Sequence, residues 1–461
     1  MFPADTYCER RDALARYLGG GLLLFLGNSE SPMNYADNCY RFRQDSSFLY
    51  FFGLDHPDLA AVIDLDEGRT IVFGNELTID DIVWMGFQPT LADRAQRAGV
   101  TETRPAAALH DYLRQARERN RKVHFLPPYR AANRILLSQL LGVHLWESAQ
   151  EASIDLVRAV VALRAVKTTA EVDAIEEAVN TSVDMHTAAM RMARPGMKEA
   201  AIAAEVERIA LAAGGRTSFP VIATVNGQIL HNHAYEGTLQ SGDLFLLDAG
   251  AECSLGYAGD LSSTFPVDPV FTERQKTIYE LALAAHEAAI AALAPGVPNL
   301  TVHLAAARTI AAGMKGLGLM TGDVDEAVAA GAHAMFFPCG VGHMMGLDVH
   351  DMEDLGEVQV GYDGRAKSTQ FGLKSLRLAR PLEPGFVLTV EPGIYFIPQL
   401  IDRWRAEKRF TAFLNYDELE KWRDFGGLRN EENFLITTDG ARRLGRPKPK
   451  TVAAVEALRT G

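Results

Sequence analysis

Cysteine is scarce in this 461-residue chain, and what there is does not pair. Cys8, Cys39, Cys253 and Cys339 are scattered without a CxxC spacing, which excludes a disulfide framework or a thiolate zinc site and points to a reducing compartment. Long apolar runs are missing too: GGGLLLFLG at 19–27 falls far short of the roughly 20 residues a membrane helix needs. The opening MFPADTYCERRDALARYL lacks the basic-then-apolar order of a secretory signal, so the cytoplasm is the expected location and no membrane partner is expected. The chain also lacks a basic surplus. Lys and Arg number 46 against 59 Asp and Glu, a net charge of −13, which excludes a nucleic-acid footprint. The one basic cluster, ARRLGRPKPK at 441–450, reads as a solvated tail.

What is present is an ordinary globular composition, 48% hydrophobic and 23% charged, in a chain too long for a single core. Two lobes are expected: a smaller mixed α/β domain over residues 1–157 and an α+β domain over 158–461. In the first, GLLLFLG, SSFLYFFG, LAAVIDLDEGRTIVFG and VHFLPPY read as strands of a mixed sheet, and residues 153–166 are apolar at helical spacing. In the second, a helix over about 169–192 ends at ARPG, another helix runs to Gly214-Gly215, and the strand-like SFPVIATV, QILH and LFLLDAG follow. A helix over about 272–293, ending at APG, starts the same order again roughly one hundred residues later. The expectation is a duplicated α+β lobe with a site between its halves.

Acids stand at the ends of several of these apolar runs. LFLLDAG delivers Asp248, GYAGDLSSTF carries Asp260 twelve residues on, FVLTVEPGIYF delivers Glu391, and FGGLRNEENFLIT puts Arg429, Glu431 and Asn433 on one strand face with Glu432 on the other. Singly, each Asp reads as a turn or cap and Glu431 as an exposed edge-strand charge. Together with His343 in the glycine-rich CGVGHMMGLDVHD, two Asp, two Glu and one His form an oxygen-rich set able to hold two divalent cations.

These motifs, LLDAGAECSLGYAGDLSSTFPVD, CGVGHMMGLDVHD, LTVEPGIYF and GGLRNEENFLIT in that order, with NYADNCYRFRQDSSFLYFFGLDHPD upstream, resemble the aminopeptidase P and prolidase family of pita-bread metallopeptidases over nearly the whole chain. The resemblance implies a C-terminal pita-bread catalytic domain behind an aminopeptidase P-like N-terminal domain. It implies that Asp248 and Asp260 chelate one metal and that Asp260, His343, Glu391 and Glu431 complete a dinuclear site, with manganese expected and cobalt or zinc as alternatives. The implied reaction is attack of a metal-activated water on the bond before a proline, with Glu391 as proton acceptor and His231 and His350 as substrate-side histidines. From the residues alone, His231 also reads as a satisfied strand histidine and His350 as a loop histidine capping carbonyls.

Arg429 and Arg377 are the expected substrate-binding residues. Arg377 lies in FGLKSLRLARPLEPG, an insertion that resembles the prolidase branch, where an arginine would take the free carboxylate of a dipeptide; a surface arginine on a short helix is the other reading. The expected substrates are small peptides with proline second, dipeptides first and longer peptides as the alternative, and the expected assembly is a homo-oligomer. Cys339 stands where the family has a histidine, and a weakly active or purely peptide-binding relative is the alternative of another class. Smaller departures are His231-Asn232 for the family's HY, a spacing one residue longer between Asp248 and Asp260, and RNEEN at the final acidic motif.

Overall fold

A computed structural model describes residues 1–460. They divide into two compact units, Met1–Arg164 with Met352–Gln359, and Ala165–Asp351 with Val360–Gly461. Residue 157 falls inside the helix Ile154–Ala165. Among the described residues no helix is long and apolar enough to cross a membrane.

The first unit is built on a five-stranded mixed sheet. Leu22–Leu26 lies in it between antiparallel Ala60–Asp64 and parallel Val123–Phe125, and Arg69–Phe73 and Glu102–Arg104 extend the other side. LLLFL is buried on both faces, as a near-continuous apolar strand must be. Leu22, Leu24, Val62, Ile71 and Phe73 pack against Leu109 and Leu113 of the helix Ala108–Glu118 and Leu137 of the helix Ala131–Leu141.

SSFLYFFG is a helix, Ser46–Phe52, and not the expected strand. From Phe48 to Phe52 the apolar side chains are unbroken, so neither a period of two nor one of 3.6 stands out. The ends decide: the Asp45 side chain accepts from the Phe48 amide, and Gly53 closes the helix in the left-handed region at φ 62°.

The second unit contains two helix pairs, Thr169–Met192 with Glu199–Ala212 and Glu273–Ala291 with Asn299–Gly316. The first helix of each pair opens with a capping box, Thr168 with Glu171 and Thr272 with Gln275. Each pair turns at a glycine of positive φ, Gly196 at 88° and Gly296 at 82°. His186 and His286 repeat in the same way: both are buried on the first helix, with Nε2 at 2.9 Å from Ala249 O and 3.1 Å from Val390 O.

The strands form antiparallel sets. Leu244–Ala249 lies between Leu261–Pro266 and Ile222–Thr224; Glu432–Ile436 lies between Val387–Val390 and Ala441–Arg443; and Gly393–Tyr395 pairs with Gly427–Arg429. QILH, expected as a strand, falls in a turn. Thr224 Oγ1 accepts from the Asn226 amide and from Asn232 Nδ2, both at 2.9 Å, and these local bonds fold the chain away from a ladder.

The basic stretch 441–450 is no solvated tail. Ala441–Arg443 adds a strand, and Lys448 is buried with Nζ donating to Ser262 O at 2.7 Å and Ser263 Oγ at 3.1 Å. Burial lowers the Lys448 pKa to about 8.

Candidate metal centre

Strand register brings the acids together. Asp248, near the end of its strand, pairs with Ser262, and Asp260 immediately precedes that neighbouring strand. Val390 pairs with Glu432 and Gly393 with Arg429, so Glu391 and Glu431 occupy the matching breaks between the two short ladders. Glu431 faces the cluster while Glu432 faces away to Lys450 at 2.7 Å, the alternation that a strand imposes. Asn433 braces Asp260 from behind, its Nδ2 donating to Asp260 O at 2.6 Å and its Oδ1 accepting from the Asp260 amide at 3.1 Å.

His343 reaches the acids from the glycine-rich loop. Its Nε2 lies 3.3 Å from Asp260 Oδ2 and 3.6 Å from Glu391 Oε1. Nδ1 lies 2.9 Å from Met344 O, a contact that suits a protonated nitrogen and leaves the Nε2 lone pair toward the carboxylates. The loop lies tightly on the strand Val387–Val390: the Thr389 amide donates to His343 O, and a Cβ on Gly342 would sit 2.0 Å from Thr389 O. Only glycine permits that approach.

Ligand atoms of Asp260, His343 and Glu431 all lie within 4.8 Å of one another. Asp248 Oδ1, Asp260 Oδ1 and Glu431 Oε1 are buried with no hydrogen-bond partner. Burial pushes the Asp260 and Glu431 carboxyls well above the usual range, and the neighbouring Asp248 and Glu391 push the same way. Buried carboxylate oxygens without donors, beside an imidazole lone pair, are what a hard divalent cation would satisfy, so the residues present fit such an ion.

Arg429 was expected at the substrate but is 3% exposed and bonded inside the cluster. Its Nη2 donates to Asp248 Oδ2 at 2.5 Å, Nε to Ser262 Oγ at 2.8 Å and Nη1 to the Tyr395 hydroxyl at 2.7 Å. Ser262 Oγ in turn donates to Glu431 Oε2 at 2.8 Å. Tyr395 and Ser262 were invisible as site residues in the sequence, where both look like ordinary strand residues.

The expected histidines divide. His350 packs against His343, with ring centroids 4.3 Å apart at 70°. His231 lies in an exposed turn, and its pKa is lowered first by desolvation and then by Arg429. Arg377 is half-buried in a bend rather than on a helix, with its backbone carbonyl against Gly361. Cys339 is half-buried; burial and then the Glu391 carboxylate push its thiol up to about 12, so it is neutral across the physiological range.

Comparison with known proteins shows the family and the fold. Residues 173–438 match the model of metallopeptidase family M24, and residues 7–124 match that of the aminopeptidase P N-terminal domain. The chain is 31% identical to the Xaa-Pro dipeptidase of Homo sapiens, over 98% of its own length and 92% of the relative's. It is equally 31% identical to the Xaa-Pro aminopeptidase of Escherichia coli (strain K12), over 98% and 97% of the two chains. Among solved structures, the aminopeptidase PepP of Pseudomonas aeruginosa superposes with a TM-score of 0.82 at 29% identity, covering 100% of this chain and 98% of that one. A zinc-substituted E. coli aminopeptidase P in complex with product gives 0.82 at 28% identity with the same coverage. The fold is thus the α+β pita-bread fold behind an aminopeptidase P-type N-terminal domain. With its acids and histidine converging inside the region that the family model spans, the chain belongs to metallopeptidase family M24 and is a metallopeptidase of the aminopeptidase P and prolidase group.

Proposed function

We propose that this chain is a manganese-dependent peptidase that cleaves the bond between an N-terminal residue and proline, with dipeptides as preferred substrates. The observation that carries this reading is the set of donorless carboxylate oxygens on Asp248, Asp260 and Glu431 beside His343. The full-length relatives named Xaa-Pro dipeptidase and Xaa-Pro aminopeptidase supply the substrate class. Catalysis is assigned to residues 158–461, which hold all five proposed ligands.

Asp248 and Asp260 would hold one divalent ion, and Asp260, His343, Glu391 and Glu431 a second. When bound, such ions polarise the scissile carbonyl and bring the pKa of a water close to neutrality. An oxygen-rich set with one imidazole suits manganese, with cobalt or zinc as alternatives. Glu391, whose side chain is 20% exposed, takes the proton of the attacking water and returns it to the proline nitrogen as the bond breaks. Without that proton the nitrogen would have to leave as an amide anion; with it, proline departs as a neutral secondary amine.

His231, kept neutral at pH 7 by its lowered pKa, donates an N–H to the carbonyl oxygen as charge develops there. His350 is assigned to the substrate side of the cluster. Arg429 holds Asp248 in place rather than touching substrate, and Arg377 takes the dipeptide's free carboxylate.

Incubating the manganese-loaded protein with Ala-Pro and with Ala-Pro-Ala, and following products by mass spectrometry, tests this. Cleavage of Ala-Pro alone supports the dipeptidase, whereas release of alanine from the tripeptide makes it an aminopeptidase. One observation favours a second reading. The neutral Cys339 thiol cannot carry the charge of the histidine it replaces, which suits a peptide-binding relative of low turnover. Binding of two metals per chain with neither peptide cut would establish that reading.

A homo-oligomer is part of the proposal. Ile79, Val83, Trp84 and Met85, on the short helix Ile79–Met85, and Phe87 beyond it are all exposed, an apolar patch suited to a second copy. The four free cysteines support a reducing, cytoplasmic location.

A further inference from the structure

Several buried carboxylates lie outside the ligand set, and Glu199 is the one that reaches the loop of His231. Glu199 opens the helix Glu199–Ala212 and is 1% exposed. A glutamate there would ordinarily serve the free amides of its own helix, yet both of its oxygens are used elsewhere. Oε1 accepts the Val225 amide at 2.8 Å, and Oε2 accepts the Gly237 amide at 2.7 Å. The Glu199 amide also donates to Gly237 O at 3.1 Å.

Val225 and Gly237 are the two ends of the segment that carries His231. Residues 226–236 contain neither helix nor strand, and His231 and His233 lie exposed near their middle. Such a segment holds a side chain in one place only if its ends are tied, because an untied loop spreads it over many positions. Burying a carboxylate is unfavourable unless charge-assisted bonds compensate it, and the two loop amides provide them. Gly237 is matched to the arrangement: a Cβ there would lie 2.5 Å from Glu199 Cδ.

We propose that Glu199 is a positioning residue whose carboxylate clasps both ends of the 225–237 loop and thereby sets His231 against the substrate. This rests on the role assigned to His231 above. Glu199→Gln keeps the shape but turns an NH2 toward one of the two amides, which opens one side of the clasp.

The test combines steady-state kinetics on Ala-Pro with amide hydrogen exchange on the full manganese-loaded chain. Glu199→Gln should lower kcat by about tenfold or more with KM changed less than about twofold, while metal content is retained. Exchange of peptides covering 226–236 should speed up, and the surface control Glu205→Gln should change neither. In the double variant with His231→Ala, Glu199→Gln should add no further loss, because both act through one side chain. A full multiplicative loss in the double variant, or unchanged exchange in 226–236, overturns the proposal. Should Glu199→Gln fail to fold, Gly237→Ala is read by the same criteria. If His231→Ala alone keeps full activity, the catalytic reading of His231 fails, and the exchange data still decide whether Glu199 ties the loop.

Discussion

Arg429 governs how much negative charge the metal cluster carries. Its guanidinium is buried against Asp248 and Tyr395 and feels Glu391 and Glu431 as well. Removing it by Arg429→Met leaves the Asp248 carboxylate buried without its partner, and a broken buried pair costs about 3–5 kcal/mol. Urea unfolding of the metal-free variant should show a loss of that order, together with at least a tenfold fall in kcat on Ala-Pro. At Cys339 the change runs the other way. Cys339→His should raise kcat, and unchanged turnover would show that the neutral thiol does not limit the reaction. At this scale the convergence of Asp260, His343 and Glu431 was legible, because each acid interrupts an apolar strand and the histidine lies among glycines. The partners of Arg429 were not legible, since a Tyr and a Ser in strand-like text carry no mark of what they will face.

The strand Val387–Val390 and the loop lying on it work as one element. His343 is placed by backbone contact, with its amide donating to Thr389 Oγ1 at 3.1 Å and its carbonyl accepting from the Thr389 amide at 3.0 Å. Gly342→Ala would drive a Cβ to 2.0 Å from Thr389 O, so the loop must shift and carry His343 with it. Manganese titration followed by calorimetry should show affinity weakened by about tenfold or more, the scale seen when the support of a metal ligand is disturbed. An unchanged affinity would mean that the loop has slack. The same element scale explains SSFLYFFG. Its run from Phe48 to Phe52 looks apolar in any period, and the decisive parts are the cap at Asp45 and the turn at Gly53. The paired helices were legible because their stripes are long and their stops, ARPG and APG, hold the glycines that turn the chain.

Across the whole second unit, buried histidines tie stability to pH. Burial lowers His186, His286 and His303 to about 3 and His333 to about 4. Their folded pKa values lie below the unfolded value near 6.5, so between the two the unfolded chain binds more protons. The stability they contribute is therefore complete above about pH 6.5 and is lost as pH falls from there toward 3. At pH 5.5 each costs about 1.4 kcal/mol. Urea midpoints of chelator-treated protein should fall steeply between pH 7.5 and 5.5. His303 has no hydrogen-bond partner at either ring nitrogen and stacks on Phe337 with centroids 4.9 Å apart, so His303→Phe should keep stability at pH 7.5 and flatten the acid slope. A variant as acid-sensitive as the parent would remove His303 from this account. Metal should act on the same unit by mass action: at one hundred times its dissociation constant, manganese should add about 2.7 kcal/mol, read as a rise in Tm that a chelator reverses.

The sequence by itself determined the class of the fold, the repeat and the kind of chemistry. Periodicity, caps and acids at strand ends are local features, and local physics reads them within a few residues. Tertiary structure alone decided which groups meet. Arg429 is buried and bonded to Asp248, Lys448 is buried behind Ser262 and not solvated, and Glu199 ties the loop of His231. Each of these pairs residues distant in the chain, so their partners follow from strand register and packing and cannot be read from neighbours in sequence.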